Sequence, residues 1–235
     1  MARRRLSRVG PRVATRALGV VACVVLVAFA RRAQGDPPAI GAADEPAHPT
    51  VSVSPPPLDI PYVQYGFALT SEFVTTAGKM CAGEANCILG SGGGVVARLG
   101  RRSAGPWYFG GAYEMSKQDP GSLYRFATLQ QVRAEARYYF STGLVTQPYA
   151  TGGAGLCAYG NEWSVDTYGP MAQLGIGVEA QLSRRTVVAL ALTYRVLGFR
   201  TFVDSSGNDH ATSVAQIVGL DLSIEQRDPL ARTVR

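Results

Sequence analysis

Only two histidines, His48 and His210, and four cysteines occur in the 235 residues. Closed zinc sites draw four ligands from Cys and His, so this inventory does not predict a metal centre. Past the first 35 residues no apolar run approaches the roughly 20 residues that a membrane-crossing helix needs, which excludes a helical bundle in the bilayer. Acidic residues are missing from residues 1–35, which carry eight arginines. The rest of the chain then holds 15 basic residues against 17 acidic ones, so the net charge of +6 belongs to the leader. No basic face remains for nucleic acid, and none is expected as a partner.

The leader reads as a secretory signal: arginines from Arg3 to Arg16, then fourteen apolar residues from Ala17 to Ala30. Small-residue cleavage sites follow at Ala28-Phe29-Ala30 and Ala33-Gln34-Gly35. The second is preferred, because two arginines directly follow the first. An uncleaved anchor helix is the alternative. Residues 36–61 are rich in proline and alanine, including Pro55-Pro56-Pro57, and predict an extended linker. Cys23 goes with the leader. Cys81 and Cys87 are six apart in a loop-like stretch, the spacing of a small disulfide ring in an oxidising compartment. Cys157 is left over, and three cysteines permit other pairings.

The body from 62 to 226 alternates with period two in eight segments. In 185–199, Val188, Leu190, Leu192, Tyr194 and Val196 alternate with Ala189, Ala191, Thr193 and Arg195. In 168–182, Leu174, Ile176 and Val178 oppose Gln173, Gly175, Gly177 and Glu179. In 213–226, Val214, Val218, Leu220, Leu222 and Ile224 oppose Ala215, Gly219, Asp221 and Glu225. In 125–140, Phe126, Val132, Ala134, Ala136 and Tyr138 oppose Gln131, Arg133, Glu135 and Arg137. Segments 63–75, 94–102 and 107–116 repeat the pattern, with Phe67, Leu69, Val95, Leu99 and Phe109 on one face. Glu72, Arg98 and Glu114 lie on the other. The small-residue segment 147–158 turns Tyr149, Thr151, Gly153 and Gly155 inward.

Links between the segments alternate in length. Those at 103–106, 141–146 and 183–184 are short; those at 76–93, 117–124, 159–167 and 200–212 are longer. This is the asymmetry of an outer-membrane barrel, with short periplasmic turns and longer outer loops. Strands in hydrocarbon must close on themselves, since unpaired backbone groups there cost several kcal/mol each. The fold class predicted is therefore all-β: an eight-stranded antiparallel up-and-down transmembrane β-barrel, preceded by a signal peptide and linker and followed by a polar tail, 227–235. An eight-stranded interior is just wide enough to be filled by side chains. Glu72, Arg98, Glu114, Arg133, Glu135, Arg137, Glu179, Arg195, Asp221 and Glu225 are expected to pair there as a structural network. Trp107 and Phe140 on the turn side, and Phe73, Phe126 and Phe199 on the loop side, suit aromatic girdles.

On residues 62–226 the chain resembles the small outer-membrane β-barrel superfamily, the group with OmpA-like and OmpX-like eight-stranded domains. The resemblance rests on this architecture and on local sequence such as Gln147-Pro148-Tyr149-Ala150 and Gly175-Ile176-Gly177-Val178. It implies insertion by the outer-membrane assembly machinery, which reads a last strand ending in an aromatic residue. Here the last segment ends at Ile224-Glu225-Gln226.

Catalytic chemistry has one place to sit, the stretch Asp204-Ser205-Ser206-Gly207-Asn208-Asp209-His210. A nucleophile needs a base within reach and a third group to orient it, which the spacing does not supply. The oxygens of Asp204, Asn208 and Asp209 suit calcium by type but not by spacing. Gly90-Ser91-Gly92-Gly93-Gly94 lacks the Lys-Ser/Thr of a phosphate loop and reads as a flexible approach to the second strand. The expectation is a non-enzymatic outer-membrane protein without cofactors, reached by export through the inner membrane. It would be monomeric, with outer-membrane lipids and lipopolysaccharide around it, and with a structural or loop-mediated interaction role. The sequence names no external ligand. A narrow channel is the first alternative. A soluble, lipocalin-like ligand-binding barrel, apolar face inward, is the second.

Overall fold

The structure is a computed structural model that describes residues 60–81, 87–118, 126–140, 146–161, 163–204 and 207–230. The leader, nearly all of the linker and the last five residues lie outside the described residues. Eight long strands form the body: β1 (Tyr62–Thr76), β2 (Gly92–Arg102), β3 (Trp107–Gln118), β4 (Ala127–Tyr139), β5 (Thr146–Gly160), β6 (Val165–Gln181), β7 (Thr186–Phe199) and β10 (Ser213–Pro229). Two short strands, β8 (Phe202–Val203) and β9 (Asp209–His210), make a ribbon in the last loop.

Each long strand pairs antiparallel with its sequence neighbour in the barrel, and β1 pairs with β10 from Tyr62↔Pro229 to Thr76↔Gln216. The sheet therefore closes without an edge. The chain is an all-β, closed, eight-stranded antiparallel barrel.

Side chains alternate as the pleat requires. Large apolar residues point away from the barrel on every long strand: Phe67, Leu99, Phe109, Val132, Leu156, Leu174, Leu192 and Leu222 are all at least half exposed. Leu174, at 71 % exposure, contrasts with Arg195 at 0 % on the neighbouring strand. This is the reverse of a soluble ligand-carrying barrel, whose greasy side lines a hollow, and it overturns the lipocalin-like alternative.

Four features differ from the sequence expectation. Phe199 does not join the outer girdle; its odd position puts it inside, edge-on to Tyr159 with ring centroids 6.5 Å apart. The β5–β6 link shrinks to 161–164, because both strands run on past the expected ends. Asn161 closes it, its side-chain oxygen accepting from the backbone of Trp163 (2.8 Å) and Ser164 (2.9 Å). Loop length measured in unpaired residues thus no longer alternates at this one connection. Gly92 and Gly93 belong to β2, paired with Gln118 and Lys117, rather than to a flexible approach. Finally, β10 continues to Pro229 and takes Arg227 from the expected tail into the wall.

Candidate functional site

Inward-facing residues divide the interior into layers. At the loop end lies an apolar cluster. Leu129 from β4, Tyr159 from β5, Met171 from β6, Leu197 and Phe199 from β7 and Ile217 from β10 meet Met80, Ile88 and Leu89 from the first loop. The loop is tied down there by a 3-10 turn, Gly78–Cys81, and by the disulfide between Cys81 and Cys87. Gly78 has φ +62°, and a Cβ on it would run into Ser213 and the Val214 carbonyl, so only glycine suits the position. The Met80 amide donates to Ser213 Oγ (3.2 Å), and the Tyr159 hydroxyl donates to the Ile88 carbonyl. Cys157 is a buried free thiol in the same cluster.

Below the cluster the lumen is charged. All ten ionic residues picked out by parity are buried. Arg195 holds three carboxylates: Glu72 (2.8 Å), Asp221 (3.2 Å) and Glu114. Arg133 adds a 2.7 Å contact to Glu114. Gln118 and Gln131 donate to Glu72 at 2.5 and 3.0 Å. Arg98 links this group onward, to Asp221 (2.7 Å), Glu135 (3.4 Å) and Glu225 (3.8 Å). Arg137 grips Glu225 with two bonds of 3.1 Å, the bidentate geometry that suits a guanidinium.

The turn end is aromatic and cationic. Glu179 accepts from Arg227, from Arg102 (3.3 Å), from the Tyr139 hydroxyl (3.2 Å) and from Gln64 (3.4 Å). Arg102 stacks on the Tyr139 ring at 3.8 Å, and Arg137 lies over Tyr108 and Tyr149. Gly100 and Gly177 leave room for these rings; a Cβ there would come within 2.5 Å of Tyr108 and Tyr149 respectively.

Arg102 and Arg227 were not among the ten. Both are legible by extending the parity of their strands, as 98, 100, 102 and 223, 225, 227; Arg227 lies in the part of β10 that runs past the expected end at 226. With them, the buried barrel charges among the described residues become six arginines and six carboxylates, a neutral set. Gln64, donating to both Glu179 (3.4 Å) and Glu225 (2.5 Å), joins all twelve into one chain of contacts. Among the buried polar atoms without a hydrogen-bond partner are Arg133 Nε and Nη2, Thr151 Oγ1 and the Gln173 amide.

The last loop keeps its own small cluster. Asp204 accepts from the Asn208 amide (2.9 Å) and side chain (3.1 Å), and His210 Nε2 lies 2.9 Å from it. The Phe202 ring stacks on His210 at 4.7 Å. Ser205 and Ser206 lie outside the described residues, and among the described residues no three metal-ligating side chains converge.

On the outside, a turn-side aromatic group faces away from the barrel. Trp107 stacks with Phe109 at 5.6 Å and meets Tyr138 edge-on at 5.0 Å, and Tyr138 meets Phe140 at 5.2 Å. Phe73 and Phe126 are exposed toward the loop side.

No protein-family model matches the chain, and no curated protein matches it in sequence. Among solved structures it is similar to Neisserial surface protein A, at 17 % identity and a TM-score of 0.49, covering 71 % of this chain and 96 % of that one. It is also similar to the outer membrane protein OprG from Pseudomonas aeruginosa, at 14 % identity and a TM-score of 0.43, over 72 % of this chain and 96 % of that one. A third is the outer membrane protein AlkL, solved in lipid bilayers, at 11 % identity and a TM-score of 0.46, over 82 % of this chain and the whole of that one. The barrel assignment itself follows from this chain's own strand order.

Proposed function

We propose that the chain is an integral outer-membrane barrel, closed to flow, that acts by its structure and by what its outer loops present. The observation that carries this is the inversion of the barrel: apolar side chains outward on all eight long strands, around a charge-neutral interior. Such an outer face is costly in water and is matched by hydrocarbon. The twelve ionic residues fill the lumen, and the apolar cluster under the first loop seals its loop end. The role of the network is structural; nothing in it has the base, nucleophile and orienting group that catalysis requires. In this reading the protein is exported by its leader, inserted by the assembly machinery, and sits as a monomer among outer-membrane lipids and lipopolysaccharide.

One observation favours the narrow-channel reading instead. The unpartnered polar atoms of Arg133, Thr151 and Gln173 lie on β4, β5 and β6, and buried polar groups of this kind are ones that water satisfies. Planar-bilayer recording decides between the two. The closed reading expects no steady conductance from the purified full chain. Membrane insertion is tested separately: the folded protein should pellet with outer membranes and run faster unheated than boiled on a detergent gel. Recovery in the soluble fraction without that shift would end the membrane reading.

A further inference from the structure

Between the β2–β3 turn and the end of β4 lies a cavity of about 260 Å³, walled by Gly105, Pro106, Tyr138 and Phe140 and touched by Arg102 and Gln147. We propose that it holds the phosphate headgroup of a phospholipid from the leaflet on the turn side, with Arg102 as the anion-binding group. This rests on the membrane reading above.

Three observations support it independently. The first is charge: Glu179 is the one carboxylate met by either Arg102 or Arg227 among the described residues, so this end has a positive charge in excess. The second is geometry. Arg102 is 4 % exposed, yet its contact to Glu179 is 3.3 Å, longer than the 2.7–2.9 Å usual for a charged pair. Its closest hydrogen-bond partner is neutral, the Gln147 side chain at 2.8 Å, and its face lies on the neutral Tyr139 ring, 3.8 Å from the centroid. The guanidinium is thus held firmly in place while only partly neutralised. The third is position. Tyr138 and Phe140 belong to the outward aromatic group, so the same cavity that reaches Arg102 borders the zone where headgroups meet acyl chains. Its size is just under the roughly 300–1,000 Å³ of sites for whole small molecules, which fits a headgroup better than a transported solute. Exposed Arg101 on the same rim adds attraction for an anion.

The test uses the full chain in a non-ionic maltoside, so that the detergent brings no phosphate. Trp163→Phe leaves Trp107, 5.0 Å from Tyr138, as the only tryptophan reporter. Titration with a short-chain phosphatidylglycerol should give a saturable change in its fluorescence. Arg102→Gln should weaken that binding at least tenfold. Ala104→Phe, which adds bulk to the wall of the same cavity while keeping the guanidinium and adding no tryptophan, should do the same. Ala104→Phe also carries the test if Arg102→Gln does not fold. Equal binding by both variants, or the same saturation with inorganic phosphate alone, would overturn the proposal. An unheated gel shift in the parent protein, present in either case, keeps such a failure distinct from failure of the membrane reading.

Discussion

Two places in the lumen solve the same problem with opposite shortages. Around Arg195 one guanidinium serves three carboxylates, Glu72, Glu114 and Asp221. Around Glu179 one carboxylate serves two guanidiniums, those of Arg102 and Arg227. The twelve buried charges cancel as a set, but not locally: the interior is anion-rich toward the loops and cation-rich toward the turns. What each residue is worth then depends on whether its sign is scarce where it sits. Breaking a buried pair costs mainly through the charge left behind.

The largest effect is expected at the scarcest cation. Arg195→Met would leave Glu72 without a cation, held by neutral donors such as the amides of Gln118 and Gln131, although Glu114 keeps Arg133 and Asp221 keeps Arg98. A loss of about 3–5 kcal/mol is expected, read as a lower urea midpoint for the unheated gel band. Adding Glu72→Gln should recover much of it, because the orphaned charge is then gone. If the double variant is no better than the single one, Arg195 matters for packing and not for charge. Next comes Glu179→Gln, which leaves Arg102 and Arg227 facing a neutral amide. The expected loss is about 3 kcal/mol by the same measurement, toward the lower end of the range because Arg102 keeps Gln147 and the Tyr139 ring. A loss exceeding that of Arg195→Met would reverse the ranking of the two regions.

How far the sequence discloses this differs between wall and lumen. The wall was legible because period two is a local signal: once Leu174, Ile176 and Val178 face lipid, Gln173, Gly175 and Glu179 have no other side to take. Phe199 shows the limit of reasoning by residue type, since its position in the alternation, and not its ring, put it inside. The partners inside the barrel were not legible. Arg98 reaches Asp221 across 123 positions of sequence, and which acid it meets depends on the stagger of strands around a closed ring. The apolar seal at the loop end was missed as well. Met80, Ile88 and Leu89 stand in a stretch without periodicity, and only the closed mouth of the barrel gives them something to pack against.

The smallest effect is expected where the sign is in surplus. Arg227→Gln removes one of two guanidiniums from Glu179, which keeps Arg102, the Tyr139 hydroxyl and the Gln64 amide. One cation then faces one anion, and two like charges that shared a partner no longer repel. The bond from Arg227 Nε to Gln64 (3.2 Å) is lost too, so the balance stays unfavourable, at about 1 kcal/mol. Urea midpoints of the unheated band, compared across Arg195→Met, Glu179→Gln and Arg227→Gln, give the order directly. If Arg227→Gln falls as far as Arg195→Met, the turn end has no cation to spare and the two regions do not differ in the way their contacts imply.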